Sequence, residues 1–297
     1  MELFNGLKIY QDKQGVKVTE IRDFDPVHTF TCGQCFRWKE EEDKSFTGVA
    51  KGRAVNIAFN DGVLEIKNSS TEDFKNIWYD YLDLGRDYGR IKEELKKDEI
   101  MAEAITYGHG IRILRQDFYE TLISFIISAN NKIPRIMSIV EVIAQNYGDR
   151  LIMAEKPYYT FPDIEKLASS TVEELWVCKG GFRCKYIIDS ASMIVTGKAG
   201  VRSLSELSTV KAREELMKLP GVGPKVADCI LLYSGIKKDV FPTDVWVKRV
   251  MEELYFKREA SFKEIQQFAG DKFGENCGIA QQYLFYYARE NKIGTNK

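Results

Sequence analysis

Residues 219–250, LPGVGPKVADCILLYSGIKKDVFPTDVWVKRV, constrain this chain more than any other stretch. A helical pattern (Ala212, Leu216, Leu219) runs into Pro220-Gly221-Val222-Gly223, and a second begins at Pro224 with apolar positions Val226, Ala227, Ile230 and Leu231. Two glycines two apart, with proline at the first position of the following helix, stop one helix, turn the chain and start another. The spacing therefore predicts a helix-hairpin-helix. Glycine lets backbone come close to a ligand, and the free N–H groups of the second helix carry partial positive charge, so the turn suits a phosphate.

Two side chains make more of that corner than a phosphate cradle. Lys225 lies in the first turn of the second helix, where the macrodipole and partial burial both push an amine toward its neutral, nucleophilic form. Thr243-Asp244 opens the next helix, VWVKRVMEEL. There the dipole favours a carboxylate, so Asp244 is expected to stay ionised and, facing Lys225, to hold a developing positive charge. Taken singly they have ordinary readings, a solvated lysine and an N-cap aspartate. A module that only grips phosphate needs neither.

The 297 residues, 44% hydrophobic and 29% charged, suffice for one large core or two modest ones. No apolar run approaches the roughly 18 residues of a membrane span, and the opening MELFNGLKIYQDKQG has no apolar signal core. The expectation is a soluble, intracellular, monomeric protein with no membrane partner, placed in the cytoplasm or nucleoid of a prokaryote or the nucleus of a eukaryote. A net charge of −1 excludes a broad positive field, so any affinity for nucleic acid must come from local patches such as Lys179/Arg183/Lys185, Arg112/Arg115 or Lys248/Arg249. The six cysteines (Cys32, Cys35, Cys178, Cys184, Cys229, Cys277) lack the paired spacing of a metal site. With only His28 and His109 to assist them, they read as reduced structural thiols.

The fold class is α+β. Residues 1–112 are expected to form an antiparallel sheet with helices, because Leu7–Tyr10, Val16–Val18, Thr47–Ala50, Ala54–Phe59 and Val63–Ile66 alternate with period two. Asn60-Asp61-Gly62 makes a hairpin turn between the last two. Asp73–Leu82 and Ile91–Ala104 are helices to cover a face. Residues 113–297 are expected to be helical, with the last helix free to pack back on the N-terminal part. Phe118, Leu122, Phe125, Ile126 and Ala129 share one face of a core helix that ends at the polar loop Asn130-Asn131-Lys132-Ile133. Capping boxes open helices at Thr171-Val-Glu-Glu174 and Ser261-Phe-Lys-Glu264. Gly180-Gly181 stops one helix and Cys184–Thr196 forms the next. Gln281 and Phe285 share a face of an aromatic C-terminal helix.

LPGVGPKVADCI with Pro242-Thr243-Asp244-Val245, Gly33-Gln-Cys-Phe36-Arg-Trp38, Asn130-Asn-Lys-Ile-Pro-Arg135, Phe182-Arg183 and Gln281-Gln-Tyr-Leu-Phe285 resemble, in order, the motifs of the 8-oxoguanine DNA glycosylases of the helix-hairpin-helix superfamily. The resemblance implies that Lys225 attacks C1′ of the damaged nucleotide and forms a Schiff base, while Asp244 assists departure of the base. The Gly33 carbonyl would accept N7–H of the lesion, and guanine, with a lone pair at N7, would be repelled. Gln281 would read the Watson–Crick edge of a base held between Phe285 and Cys229. On the other strand, Asn130 would fill the vacated space and touch the orphaned cytosine, which Arg135 and Arg183 would also bond. Phe182 stands where the family has tyrosine, so it keeps the wedge and loses the hydroxyl. Gly221 and Gly223 would meet the DNA backbone, and the carbonyls of Leu219 and Val222 would hold a monovalent or divalent cation against a phosphate. Trp246 replaces a histidine common near the lesion's phosphate.

The implied partner is double-stranded DNA containing oxidised guanine, opposite cytosine. The chemistry implied needs no cofactor, and the four-cysteine cluster that carries an iron–sulfur centre in related pyrimidine-damage glycosylases is missing. A glycosylase for another lesion, an oxidised pyrimidine or a mispaired adenine, and a non-catalytic DNA-binding module are the competing readings.

Overall fold

A computed structural model describes residues 1–295. Its N-terminal part is a seven-stranded, wholly antiparallel sheet in the order β1 (Glu2–Phe4), β2 (Leu7–Gln11), β3 (Gly15–Thr19), β7 (Val63–Lys67), β6 (Arg53–Asn60), β5 (Phe46–Ala50) and β4 (Trp38–Glu40). Between β6 and β7, Asp61 (φ +50°) and Gly62 (φ +77°) both take left-handed backbone, the turn whose twist matches that of paired strands. Ile9, Val16, Val18, Val55, Ile57, Leu64 and Ile66 are buried on the sheet. They pack with Phe74, Trp78 and Tyr81 of the helical stretch 71–81 and with Phe30 of the short helix Pro26–Thr31. The Trp78 indole N–H donates to Ser69 Oγ (2.8 Å), so this wholly buried ring leaves no donor unmet.

Two short strands, β1 and β4, add to the five read from the sequence. The helix expected over 91–104 is two, Tyr88–Leu95 and Glu99–Tyr107, because the Asp98 side chain accepts Met101 N–H (2.9 Å) and starts a second helix. A small hairpin, β8 (Arg150–Met153) with β9 (Lys156–Tyr159), interrupts the helical body.

That body is built on the buried helix Phe118–Ser128, with Leu122, Ile123, Phe125, Ile126 and Ile127 in the core. Both capping boxes form, at Thr171/Glu174 and Ser261/Glu264. The C-terminal helix Cys277–Glu290 buries Ile279, Tyr283 and Leu284 in the same core as Met101, Ala104, Ile105 and Ile111 of the N-terminal part. It is tied there by Tyr287 Oη to Glu103 (2.8 Å) and Arg289 Nη1 to the Thr31 carbonyl (2.8 Å). Residues 31–33 and residues 281–289 are thereby neighbours, although the length of the chain separates them.

One expected basic patch is not a surface feature. Arg112 is 4% exposed, donates to the carbonyls of Asp83 (2.6 Å) and Arg22 (2.8 Å) and stacks on Tyr88, while Arg115 is paired with Asp80 and Asp83. These carbonyls take up both terminal nitrogens of the buried guanidinium, while its Nε has no partner. No helix among the described residues is long and apolar enough to cross a membrane.

Candidate active site

The hairpin forms where expected. Gly221 has φ +82°, and a Cβ there would lie 2.9 Å from the Tyr186 ring and 3.2 Å from Ile126, so only glycine fits. Gly223 is different: nothing lies within 4 Å of its Cβ position, and no side chain caps the helix Pro224–Tyr233 that it begins. An open glycine before an uncapped helix start is the form of an anion site. The turn is held by Ser190 Oγ donating to the Pro220 carbonyl (3.0 Å) and by Val222 N–H donating to that of Leu219 (3.1 Å).

Lys225, half-buried, projects from the first turn of that helix with Nζ 5.4 Å from the centre of the Phe125 ring. One turn further on, Cys229 is buried. Burial pushes its thiol up to about 11, the Lys225 ammonium pulls it back part of the way, and the Asp244 carboxylate acts in the other direction. Asp244 caps the helix Val245–Met251 by accepting Val247 N–H (2.8 Å), which fixes the carboxylate in the partial positive charge of a helix start.

Near this corner, residues from both ends of the chain meet. Gly33 has φ +85°, and a Cβ there would lie 3.3 Å from Phe285 Cε1 and 3.9 Å from Ile133 Cδ1. Phe285 in turn meets Trp246 edge-on, with ring centres 5.1 Å apart at 88°. The Trp246 ring, two residues after Asp244, therefore packs on Phe285. Gln281, one turn before Phe285, is 3% exposed, and its Oε1 has no hydrogen-bond partner.

The residues expected to face the opposite strand form a second group. Asn130 is exposed in left-handed backbone (φ +49°), just beyond the helix Phe118–Ser128. Arg183 Nη2 donates to the carbonyls of Ala129 and Asn130 (3.2 Å to the latter), and its guanidinium lies 4.6 Å from the centre of the Phe182 ring. Arg183 is 6% exposed. Burial first, and the Arg135 charge second, push its pKa below the ordinary arginine value. Phe182 is 65% exposed, an apolar ring standing out of the surface, and its edge contact with Tyr186 (5.7 Å) joins it to Gly221 of the hairpin. Two of the basic side chains expected nearby are partly neutralised, Lys185 by Asp189 and Lys248 by Glu252.

Sequence reasoning missed Gln34. Its buried amide donates to the carbonyls of Thr29 and Arg112 (2.8 Å each) and accepts Leu114 N–H (2.9 Å), so it pins the turn that presents Gly33. The available signal was its position, an amide beside a glycine in an otherwise aromatic segment. Asp228, buried and paired with Arg213 (2.6 Å) on the hairpin helix, gave none. All six cysteines are free and buried. Among the described residues the one cluster with metal-ligand chemistry is Asp25, His28 and His109. There His28 Nδ1 already accepts Gly110 N–H (3.3 Å) and Asp25 caps His28 N–H (3.0 Å), and the group ties two loops together.

Two family models match end to end. Residues 16–122 match the 8-oxoguanine DNA glycosylase N-terminal domain, and residues 123–274 match the HhH-GPD superfamily of base excision DNA repair proteins. The chain is 30% identical over 283 residues to N-glycosylase/DNA lyase OGG1 of Arabidopsis thaliana, covering 86% of this chain and 75% of that one. Among solved structures it is similar to MBOgg1 in complex with a low-affinity DNA ligand, at TM-score 0.94 and 52% identity over 96% of this chain and 99% of the other. It is also similar to the Clostridium acetobutylicum 8-oxoguanine glycosylase/lyase bound to double-stranded DNA with cytosine opposite 8-oxoguanine, at TM-score 0.93 and 44% identity over 96% and 99%. With both domain models in order and near-complete structural overlap, the chain belongs to the 8-oxoguanine DNA glycosylases of the HhH-GPD superfamily.

Proposed function

We propose that this chain excises 8-oxoguanine, and ring-opened formamidopyrimidine-guanine, from duplex DNA opposite cytosine and then cuts the strand 3′ to the lesion, with Lys225 as nucleophile and Asp244 as its electrostatic partner. The observation that carries the base assignment is Gln281 Oε1, a buried amide oxygen with nothing to bond, one turn from an aromatic wall. Leaving such a group unmet costs about 1–3 kcal/mol, and a base edge that donates to it would supply the missing bond. The Gly33 carbonyl turn beside Phe285 adds the second requirement, an N–H at N7 that undamaged guanine lacks.

The lesion is unreachable inside the stack, so it must be flipped out at a cost of a few kcal/mol. Phe182 would wedge into the gap, with Asn130 and Arg135 meeting the orphaned cytosine. Arg183, spent on the carbonyls of residues 129 and 130, would act by fixing the Asn130 turn as well as by any contact with cytosine. The Lys225 amine then attacks C1′. The bond from C1′ to the base nitrogen breaks, its electron pair leaves with the base, and the base takes up a proton. Asp244 stabilises the positive charge that grows on the sugar. Opening of the sugar ring gives an iminium at C1′. Loss of a proton from C2′ then expels the 3′ phosphate, and water releases Lys225.

Each of these steps uses side chains alone, and the family's catalysis requires no cofactor. A cation at the hairpin would be held by the carbonyls of Leu219 and Val222 and would lend positive charge to phosphate binding. Neutral oxygens, one already accepting a hydrogen bond, fit a weakly held ion.

The test is borohydride trapping on a duplex with one 8-oxoguanine opposite cytosine, beside undamaged DNA and the Lys225→Gln variant. A covalent adduct with the lesion alone, lost in the variant, is expected. Binding without an adduct from the wild-type protein would overturn the lyase reading and favour a non-catalytic hairpin module.

A further inference from the structure

Gln282, the neighbour of Gln281 on the last helix, is wholly buried. Its Nε2 donates to the Cys32 carbonyl (2.8 Å), and its Oε1 accepts the Tyr233 hydroxyl (2.7 Å). Each partner leads directly into the site. Cys32 precedes Gly33, so the bonded carbonyl belongs to the peptide that joins the two residues. Tyr233 closes the hairpin helix on the face that carries Lys225 and Cys229, since the three recur every four residues. The Tyr233 ring also stacks on Phe125 (5.2 Å, 23°), whose ring lies under Lys225 (5.4 Å).

We infer that Gln282 is a positioning residue that sets the lesion-reading turn at Gly33 in register with the nucleophile helix, through the bridge Tyr233–Gln282–Cys32. The inference rests on the reading of Gly33 as the acceptor for N7–H. Gly33 has no side chain to anchor it, its left-handed backbone has free neighbouring conformations, and discrimination by a single carbonyl depends on its aim. Gln34 holds the turn to Thr29 and to the stretch 112–114, whereas Gln282 ties it to Tyr233 of the hairpin helix. Without the Gln282 amide, the Cys32 carbonyl and the Tyr233 hydroxyl are both left buried and unpaired, and the turn is free to shift away from the base. Cleavage at a site that already lacks its base needs Lys225 but no base reading, so it escapes this dependence.

The experiment compares single-turnover excision of 8-oxoguanine opposite cytosine with strand cleavage at a pre-formed abasic site in the same duplex, for wild type, Gln282→Leu, Tyr233→Phe and the double variant. Gln282→Leu is expected to lose roughly ten- to a hundredfold in excision, as a misplacement of about 1 Å does, and to keep abasic-site cleavage within about twofold. Tyr233→Phe, which removes one oxygen and keeps the ring, should lose less, and the double variant should be no worse than Gln282→Leu, the signature of one shared network. An equal loss of both activities in Gln282→Leu would make the bridge plain scaffolding and overturn the inference. Full excision by Gln282→Leu, or additive losses in the double variant, would do the same. Wild-type excision of 8-oxoguanine, read in the same assay, tests the lesion assignment separately.

Discussion

Gln281 carries a conflict between stability and function that can be measured. Its Oε1 is buried without a partner in the free protein. Gln281→Leu keeps the volume and removes the unmet acceptor, so it is expected to stabilise the fold by about 1 kcal/mol, or a rise of about 2–4 °C in melting temperature, while excision of 8-oxoguanine falls more than tenfold. Thermal melts beside single-turnover assays decide it. A variant that melts earlier than wild type means the oxygen is satisfied in the free protein and is not held ready for a base. The four-residue spacing from Gln281 to Phe285 was enough to put both on one face. It carried no information on whether that face looks inward, which depends on a turn at residue 33 brought across from the other end of the chain. Trp246 makes the same point: its distance from the N-cap Asp244 fixed its place in the helix, while its edge contact with Phe285 is purely tertiary.

At the scale of elements, what could be read locally is what local chemistry determines. The hairpin, the two capping boxes and the Asp61-Gly62 turn are each closed by groups a few residues apart, so the spacing alone specified them. β4 and β8–β9 are three or four residues long and exist through pairing, and period two over so short a run carries no signal. The core helix Phe118–Ser128 holds a feature of a third kind, a titratable group whose behaviour is set by burial. Burial raises the Glu120 carboxyl from 4.5 to about 7, with the Arg37 guanidinium at 3.8 Å lowering it only in part. The folded protein thus keeps a proton that the unfolded chain releases. This contribution to stability is fully present below about pH 4.5, declines as pH rises toward 7, and levels off above that. Glu120→Gln removes the titration. Its melting temperature relative to wild type is expected to be more favourable at pH 8 than at pH 5, by the equivalent of about 1–3 kcal/mol. Melts at the two pH values give the answer, and an offset that does not change with pH would rule out the raised carboxyl.

Over the whole molecule, a division near residue 112 separates sheet from helices in the sequence, whereas the core does not stop there. Met101, Ala104, Ile105 and Ile111 share one apolar cluster with Ile279, Tyr283 and Leu284 of the last helix, and Cys32 and Phe36 belong to it as well. The proposed site residues follow the same plan, since Gly33 comes from one side of that division and Lys225, Asp244, Gln281 and Phe285 from the other. Such an arrangement puts the proposed base-reading turn and the proposed nucleophile in one folding unit. The intact chain is expected to unfold in a single transition, with calorimetric and van't Hoff enthalpies in agreement. A chain beginning at residue 113 would expose the apolar side of the last helix that now packs on the helix Glu99–Tyr107. It should lack the near-ultraviolet circular dichroism of fixed aromatic packing while retaining helix. Two resolved transitions in the intact chain, or a cooperative melt from the fragment, would mean that the helical body folds alone. The base pocket would then be an interface between two independent domains, and lesion reading would depend on their docking.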